Sequence, residues 1–250
     1  VLNESAHIER RAATLLGIIR AEDPDIIVLA ETDHWWEEAV RELEKTHPNT
    51  LKRPLENTYG MLVYSRLPWS DAQLRALLMD GIPSAVANVQ LPSGDRFRLY
   101  TIHPLPPGVG QDTTHRDAEL VLIGKEARSR GEPAIVAGDL NDVAWSYTTR
   151  LFQKISRMLD PRIGRGFYNT FNAKRPPLRF PLDHVFHTDH FRVVSLRRLA
   201  GFGSDHFPIL TELSYEPKGA DDQEAPKLGR EGRQAAKRKL RKARDSGLMD

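Results

Sequence analysis

The 250-residue chain contains no cysteine, which removes a disulfide framework, a thiolate zinc site and a thiol nucleophile together. It has no apolar run near the ~18 residues that a membrane span requires, no internal repeat, and no collagen-like or coiled-coil bias. It also lacks a decisive net charge, since 36 Lys and Arg face 34 Asp and Glu. That near-balance hides an asymmetry. Pro217 to Asp250 carries 10 basic and 6 acidic residues, leaving 26 basic against 28 acidic in residues 1–216. The larger part is therefore not a basic nucleic-acid clamp. What remains, 40% hydrophobic and 28% charged residues, is globular composition at a length that suits one large α/β domain. The chain opens on Val1 with neither an initiating methionine nor a signal peptide, and the expectation is that something has been removed ahead of it.

Ile8, Ala12, Leu15, Leu16 and Ile19 recur at helical spacing, and Asp23-Pro24 stops that helix, because the residue before proline is pushed out of the α region. Asp25 to Glu31 follows as a continuous apolar run ending in a carboxylate, a buried strand covered on both faces. His34 to Lys45, Thr113 to Ser129 and Ser146 to Ile155 read as further helices. Tyr59–Ser65, Ser84–Leu91, Arg96–His103, Ala134–Asp139, Leu182–Thr188, Arg192–Leu199 and Pro208–Tyr215 read as strands. Lys218 to Pro226 has no large apolar residue and is expected to be disordered. Lys227 to Arg244 offers only Leu228 and Leu240 as sizeable apolar groups, so it is expected to be a solvated helix or coil. The division that follows is a globular α/β domain over 1–216 and a charged tail over 217–250.

Placement of the polar residues carries the chemistry. Glu31, His103, Asp139 with Asn141, Asp183, and Asp205 with His206 all sit where strands stop or start, and strand ends meet at one rim of a sheet. Glu31, Asp139, Asn141 and Asp205 offer oxygen ligands only, which suits Mg²⁺ or Mn²⁺ rather than zinc. Taken singly, Asp139 or Asn141 would be turn residues, and a lone histidine such as His7, His34, His47, His115, His187 or His190 is a surface or core group. His184 is read as filling the sheet beside Asp183.

Five segments in order resemble the endonuclease/exonuclease/phosphatase superfamily, the DNase I-like group: Pro24 to Glu31, Thr101-Ile102-His103-Pro104, Gly138-Asp139-Leu140-Asn141, Leu182 to Phe186, and Gly203 to Pro208. The resemblance spans nearly all of 1–216. It implies a four-layer α/β sandwich, two mixed sheets face to face with helices outside. It implies a metal-binding role for Glu31, with Asp205 near the metal. Asp139 matches the aspartate that holds or activates the attacking water, and Asn141 the asparagine that steadies the phosphate. His206 is the base or transition-state stabiliser and Asp183 its orienting partner. His103 matches a histidine near the leaving oxygen. The family's first metal-binding asparagine is either Asn3 or a residue just before Val1. Val1-Leu2 looks like the pair that follows it, which favours the second. On this reading phosphoester hydrolysis proceeds by positioning and charge neutralisation, with metal, Asn141 and a protonated His103 on the positive side and Asp139 with His206 preparing the water.

The expected activity is that of a divalent-metal-dependent phosphoesterase, more specifically a phosphodiesterase, acting on nucleic acid or a small phosphodiester, as a monomer. The alternative is a module of the same fold that binds an anionic ligand or partner without hydrolysing it. Arg116 either reaches a phosphate or forms a structural ion pair. Trp145 either stacks on a base or sugar or packs. Arg175 and Arg179, on a proline-rich loop before Asp183, are read as framing a pocket, with Arg179 on substrate. The Lys237–Lys242 run is either a solvated face or a contact for nucleic acid or an anionic membrane. Val143 to Ser146 and the compact loops look most like bacterial members of unassigned substrate. Some of those carry membrane-spanning helices ahead of the catalytic domain, and the missing methionine fits that arrangement.

Overall fold

The structure, a computed structural model, describes residues 9–107 and 112–249. Helix α1 (Glu9–Glu22) buries Ala12, Leu15, Leu16 and Ile19 on one face, as the spacing predicts. Asp23, in left-handed backbone before Pro24, ends it and sends the chain into β1 (Ile26–Ala30). Helix α2 (His34–Ala39) is capped by Asp33, whose carboxylate accepts the Trp36 N–H at 3.0 Å. It is shorter than the predicted His34–Lys45, because the chain tightens into a 3-10 turn at Arg41–Lys45. Strands β2 (Asn49–Arg53) and β3 (Met61–Ser65) follow, and β3 lies between β1 and β2, antiparallel to both.

The largest sheet runs β4 (Trp69–Ala76), β5 (Pro83–Gln90), β6 (Arg96–Thr101), β7 (Ala134–Asp139), β8 (Asp183–His187) in spatial order. Among the described residues only β6 and β7 pair in parallel, and α3 (Thr114–Arg130) makes the crossover that parallel neighbours require. Helix α4 (Tyr147–Ser156) follows β7, and β9 (Phe191–Arg198) pairs antiparallel with β10 (Ile209–Tyr215). One sheet is therefore mixed. Among the described residues the facing layer consists of two antiparallel pieces rather than a second mixed sheet.

Strand alternation sorts the side chains into three cores and thereby four layers. Met61 and Val63 of β3 face Ala85, Ala87, Val89, Phe97 and Leu99 of the mixed sheet, with Phe191 and Leu213 of the β9–β10 pair in the same core. Leu62 and Tyr64 point the other way, into Leu15, Leu16, Trp36 and Val40 of the first helices. On the far side Val86, Tyr100, Val136 and Phe186 meet Leu120, Ile123 and Phe152 of α3 and α4. Strands β2 and β4 escape the sequence reading for a physical reason. β2 has one large apolar residue, and β4 is an irregular edge strand with a register shift between Ser70 and Gln73.

The C-terminal stretch departs from the expectation of a disordered or solvated tail. Gln223 donates to the carbonyls of Asp189 (2.8 Å) and Phe191 (2.7 Å), and Ala225 is buried. Helix α5 (Arg230–Asp245) lays Ala235 and Ala236 onto Val121, Leu151 and Ile155, flanked by Leu228 and Leu240. Alanines supply a core face narrow enough for close helix contact, and a search for large apolar residues passes over them. No helix among the described residues is long and apolar enough to cross a membrane.

Candidate active site

The antiparallel ladder of β7 and β8 sets Asp139 directly opposite Asp183. Gly138 makes that possible. Its backbone lies at φ 146°, and a Cβ there would stand 1.9 Å from the Ile102 carbonyl oxygen, so only glycine lets β7 close on β6 at this point. Ile102 then leads to His103. On the opposing layer, Gly60 passes so near the Thr32 carbonyl that a Cβ would lie 1.6 Å from it, which fixes the chain beside Glu31. Glu31 itself sits at φ 58°, an uncommon conformation for a residue with a side chain.

His206 stands between the two aspartates. Its Nδ1 is 2.7 Å from Asp183 Oδ2 and its Nε2 is 3.6 Å from Asp139 Oδ2. Phe171 packs against the ring at 5.0 Å. Burial opposes a charged imidazole, but the Asp183 and Asp139 carboxylates outweigh it and raise His206 to about 9. Burial also works against Asp183, and its His206 partner more than offsets this, so Asp183 stays well below the usual carboxylate range. Asp139 moves the other way: burial and then the Asp183 charge push its carboxyl up. Two carboxyl groups of one ladder rung are thus driven apart, a pattern associated with divided acid and base roles.

Glu31 lies with Oε1 3.8 Å from His103 Nε2, while Oε2 is buried without a hydrogen-bond partner among the described residues. Burial raises Glu31, and Asp205 and Asp183 add to the rise. His103 is buried and pushed down to about 4 by desolvation. Burial thus favours the neutral His103 ring, against the protonated His103 of the sequence reading, because no hydrogen-bonded carboxylate offsets it as Asp183 does for His206. Asn141, at φ 50°, donates its backbone N–H to Asp139 Oδ1 (2.8 Å) and its side-chain amide to the Pro104 carbonyl (2.9 Å), tying the Asp139 turn to the His103 loop. Glu31, Asp139, Asp183 and His206 also line a cavity of about 610 Å³ that continues between β1 and β10.

The remaining predicted residues fall in different places. Asp205 adjoins His206, and its charge is felt at Glu31. Asn3 lies outside the described residues. Arg116 is buried and takes the ion-pair alternative: Nη2 is 3.0 Å from Asp117, Nη1 donates to the Asn141 carbonyl at 2.8 Å, and Asp142 is 3.5 Å away. It braces the Asn141 turn from behind. Trp145 is 43% exposed, edge-on to Phe167 at 5.5 Å. Arg179 donates to the Ala173 carbonyl (3.2 Å) and stacks over Phe207 next to His206.

Sequence reasoning missed the supports. Thr170, fully buried, accepts the Asp183 N–H at 3.2 Å. Arg162 pairs with Asp160, and Lys239 of α5 bonds Asp117. None of these carries a signal along the chain, since their partners are remote in sequence or sit on an unremarked turn.

The four carboxyl groups Glu31, Asp139, Asp183 and Asp205 meet one imidazolium, an excess of negative charge that a divalent cation would neutralise. Ligand atoms of Asp139, Asp183 and His206 lie within 4.8 Å of one another. His206 is already held by Asp183, so the unpartnered Glu31 oxygen with Asp205 is the better oxygen-donor pair for a hard ion.

Humanized TDP2 of D. rerio superposes with a TM-score of 0.71 at 15% identity, covering 85% of this chain and 94% of that one. The human Nocturnin catalytic domain gives 0.67 at 19%, over 83% and 87%. A mannosyl-6-phosphatase of Bacteroides thetaiotaomicron gives 0.63 at 18%, over 82% and 91%. No curated protein matches the chain. These likenesses agree on a mixed α/β, DNase I-like fold. The sequence profile of the Endonuclease/Exonuclease/phosphatase family matches residues 3–206, and the chain belongs to that family.

Proposed function

We propose that the protein is a divalent-metal-dependent phosphodiesterase in which Asp139 prepares a water that attacks phosphorus and His206 serves as the proton donor. The observation that carries this reading is the Asp139–His206–Asp183 row. One carboxylate is locked to Nδ1 at 2.7 Å, and the other stands 3.6 Å from Nε2. Asp183 fixes the ring's orientation and tautomer, as the buried carboxylate of a triad does. Asp139, with its raised carboxyl, takes up the proton released as water adds to phosphorus. The protonated His206 donates to a phosphoryl oxygen or to the departing alkoxide. Asn141 contributes the amide hydrogen not used by the Pro104 carbonyl. Glu31 and Asp205 would hold the Mg²⁺ or Mn²⁺, which supplies charge neutralisation at the phosphoryl oxygens when bound. The diester class is supported by the exposed Trp145–Phe167 pair beyond Asn141 and by a neighbour, D. rerio TDP2, solved with a single-strand DNA product.

The test is hydrolysis of bis-p-nitrophenyl phosphate with Mg²⁺ or Mn²⁺. EDTA should abolish it. Asp139→Ala and His206→Ala should each lower the rate roughly 10²–10⁴-fold while the thermal midpoint holds. Full activity in both variants would overturn the assignment, and binding of diesters without any turnover would leave a recognition module of the same fold.

A further inference from the structure

Residues 143–182 hold eight Lys and Arg and a single acid, Asp160. That acid is buried and closed off by Arg162 at 2.9 Å, so the exposed cations Arg150, Lys154, Arg165, Lys174 and Arg175 meet no other carboxylate on their own segment. The same segment carries six of the eight large apolar side chains that stand exposed among the described residues: Trp145, Tyr147, Ile163, Phe167, Leu178 and Phe180. Ile163 and Phe167 are each 67% exposed. Single exposed apolar groups are ordinary, whereas a concentration of them among cations is not.

The fold holds these groups beside the candidate active site. Arg162, bonded to Asp160 and His184, anchors the turn that presents Ile163, and its carbonyl accepts the Arg165 N–H at 2.9 Å and the Gly166 N–H at 3.2 Å. Phe167 then meets Trp145 edge-on at 5.5 Å. Beyond it a short ribbon pairs Phe171 with Phe180, and the Asn172 N–H donates to the Leu178 carbonyl at 3.1 Å. The root of the ribbon is fixed on the site: Phe171 packs on His206, and the Ala173 N–H donates to the Asp205 carbonyl at 2.6 Å. Its tip, Lys174 to Leu178, is exposed throughout.

From this arrangement we infer that the Ile163–Phe167 turn and the Lys174–Leu178 ribbon tip form a docking surface for an anionic phospholipid bilayer, with Trp145 at the headgroup level beside Phe167. Basic side chains are drawn to the negative surface of such a bilayer, and tryptophan and tyrosine favour the boundary between headgroups and acyl chains. Ile163 and Leu178 decide between lipid and nucleic acid. An aliphatic side chain gains by leaving water for an acyl layer, but it has no ring on which a base could stack. The inference stands apart from the hydrolytic reading, since docking requires no turnover.

Cosedimentation of the full chain with phosphatidylcholine vesicles containing about 30% phosphatidylserine, in EDTA over a range of KCl concentrations, tests this. The protein should pellet with the vesicles near 0.1 M salt and be released as salt rises. Arg165→Gln/Lys174→Gln should partition at least tenfold more weakly, since each basic residue near such a surface is worth about fivefold. Ile163→Ser/Leu178→Ser should also lose at least tenfold, with its salt dependence unchanged. Both variants should keep the wild-type thermal midpoint and the wild-type rate on bis-p-nitrophenyl phosphate, a soluble diester. Tryptophan emission should move to the blue on vesicle binding, and Trp145→Phe should remove that shift. Failure to pellet, wild-type partitioning in both double variants, or a blue shift that survives Trp145→Phe would each overturn the inference. So would loss of fluorescein-labelled dT20 binding in Arg165→Gln/Lys174→Gln with vesicle binding intact, which would make the rim a nucleic-acid surface.

Discussion

Asp183 and His184 are consecutive on β8, and they serve two clusters of opposite character. Successive strand residues point to opposite faces. Asp183 faces the cavity with Asp139 and His206. His184 faces inward, stacked on Phe186 at 5.2 Å, its Nε2–H donated to the Asp142 carbonyl at 2.9 Å and its Nδ1 accepting from Arg162. Arg162 grips Asp160 with Nε and Nη2, both at 2.9 Å, and Asp142 in turn receives Ser146 and Thr149 hydroxyls. In the inner cluster donors and acceptors are matched, and burial beside Arg162 pushes His184 down to about 3, a permanently neutral ring. In the outer cluster carboxylates outnumber cations, Glu31 keeps an unpartnered oxygen among the described residues, and the groups are shifted in opposing directions. Matched polar groups hold a structure together, whereas a surplus of one charge, maintained at a cost in stability, marks a place that waits for a ligand.

The contrast can be broken by exchanging effects between the clusters. Asp183→Asn should cut turnover on the order of 10³-fold through a misoriented His206, with a thermal midpoint near wild type. A large stability loss with turnover intact would make Asp183 a member of the structural set. Arg162→Met should do the reverse. It strands Asp160 and should cost about 3–5 kcal/mol in urea unfolding, as breaking a buried pair does, while the rate per folded molecule at low temperature changes little.

A pH measurement sharpens the distinction elsewhere in the fold. Burial raises Glu119 of α3 to about 8, and the neighbouring His115 is itself lowered by burial, so it offers no countercharge. The folded protein then holds a proton that the unfolded chain has released above its ordinary pKa near 4.5. Stability from this group is complete below about 4.5 and is lost as pH rises through about 8. Glu119→Gln should flatten the fall in the urea midpoint between pH 5 and pH 8, and an equally steep fall in the variant would exclude this group as its source.

The smallest effect is expected at the link between the two kinds of site. Lys239→Met removes the cation that joins α5 to Asp117, and through Arg116 to the Asn141 carbonyl. Stability should drop by about 1–3 kcal/mol, with kcat lowered severalfold and KM for bis-p-nitrophenyl phosphate unchanged. Lys239→Arg should restore both. A change confined to KM would show that Lys239 meets substrate instead of positioning the turn.

Much of the outer cluster is legible in the chain because each member ends or begins a strand. Asp139 and Asp183 announce themselves by following or preceding short apolar runs, and the ladder then does what runs of that kind do. Arg116 illustrates the limit. A basic residue opening a helix after the His103 loop fits a phosphate contact equally well, and only the fold reveals that Asp117, Asp142 and the Asn141 carbonyl already occupy it. Arg162 and Asp160 lie two residues apart on a turn with no periodic pattern, so nothing local distinguishes them from solvent-facing charges. Helix α5 fails differently. Its charges dominate the reading, yet three alanines decide where it goes.

On the proposed mechanism, the rung formed by Asp139 and Asp183 would couple chemistry to alignment. Slippage of β8 by a single position would swing its carboxylate to the helix-covered side and bring an imidazole where the acid belongs. Such a molecule would keep its strand content and its compactness, yet it would be silent in a turnover assay. Specific activity per folded molecule therefore reads strand alignment to one residue, a property that circular dichroism does not see.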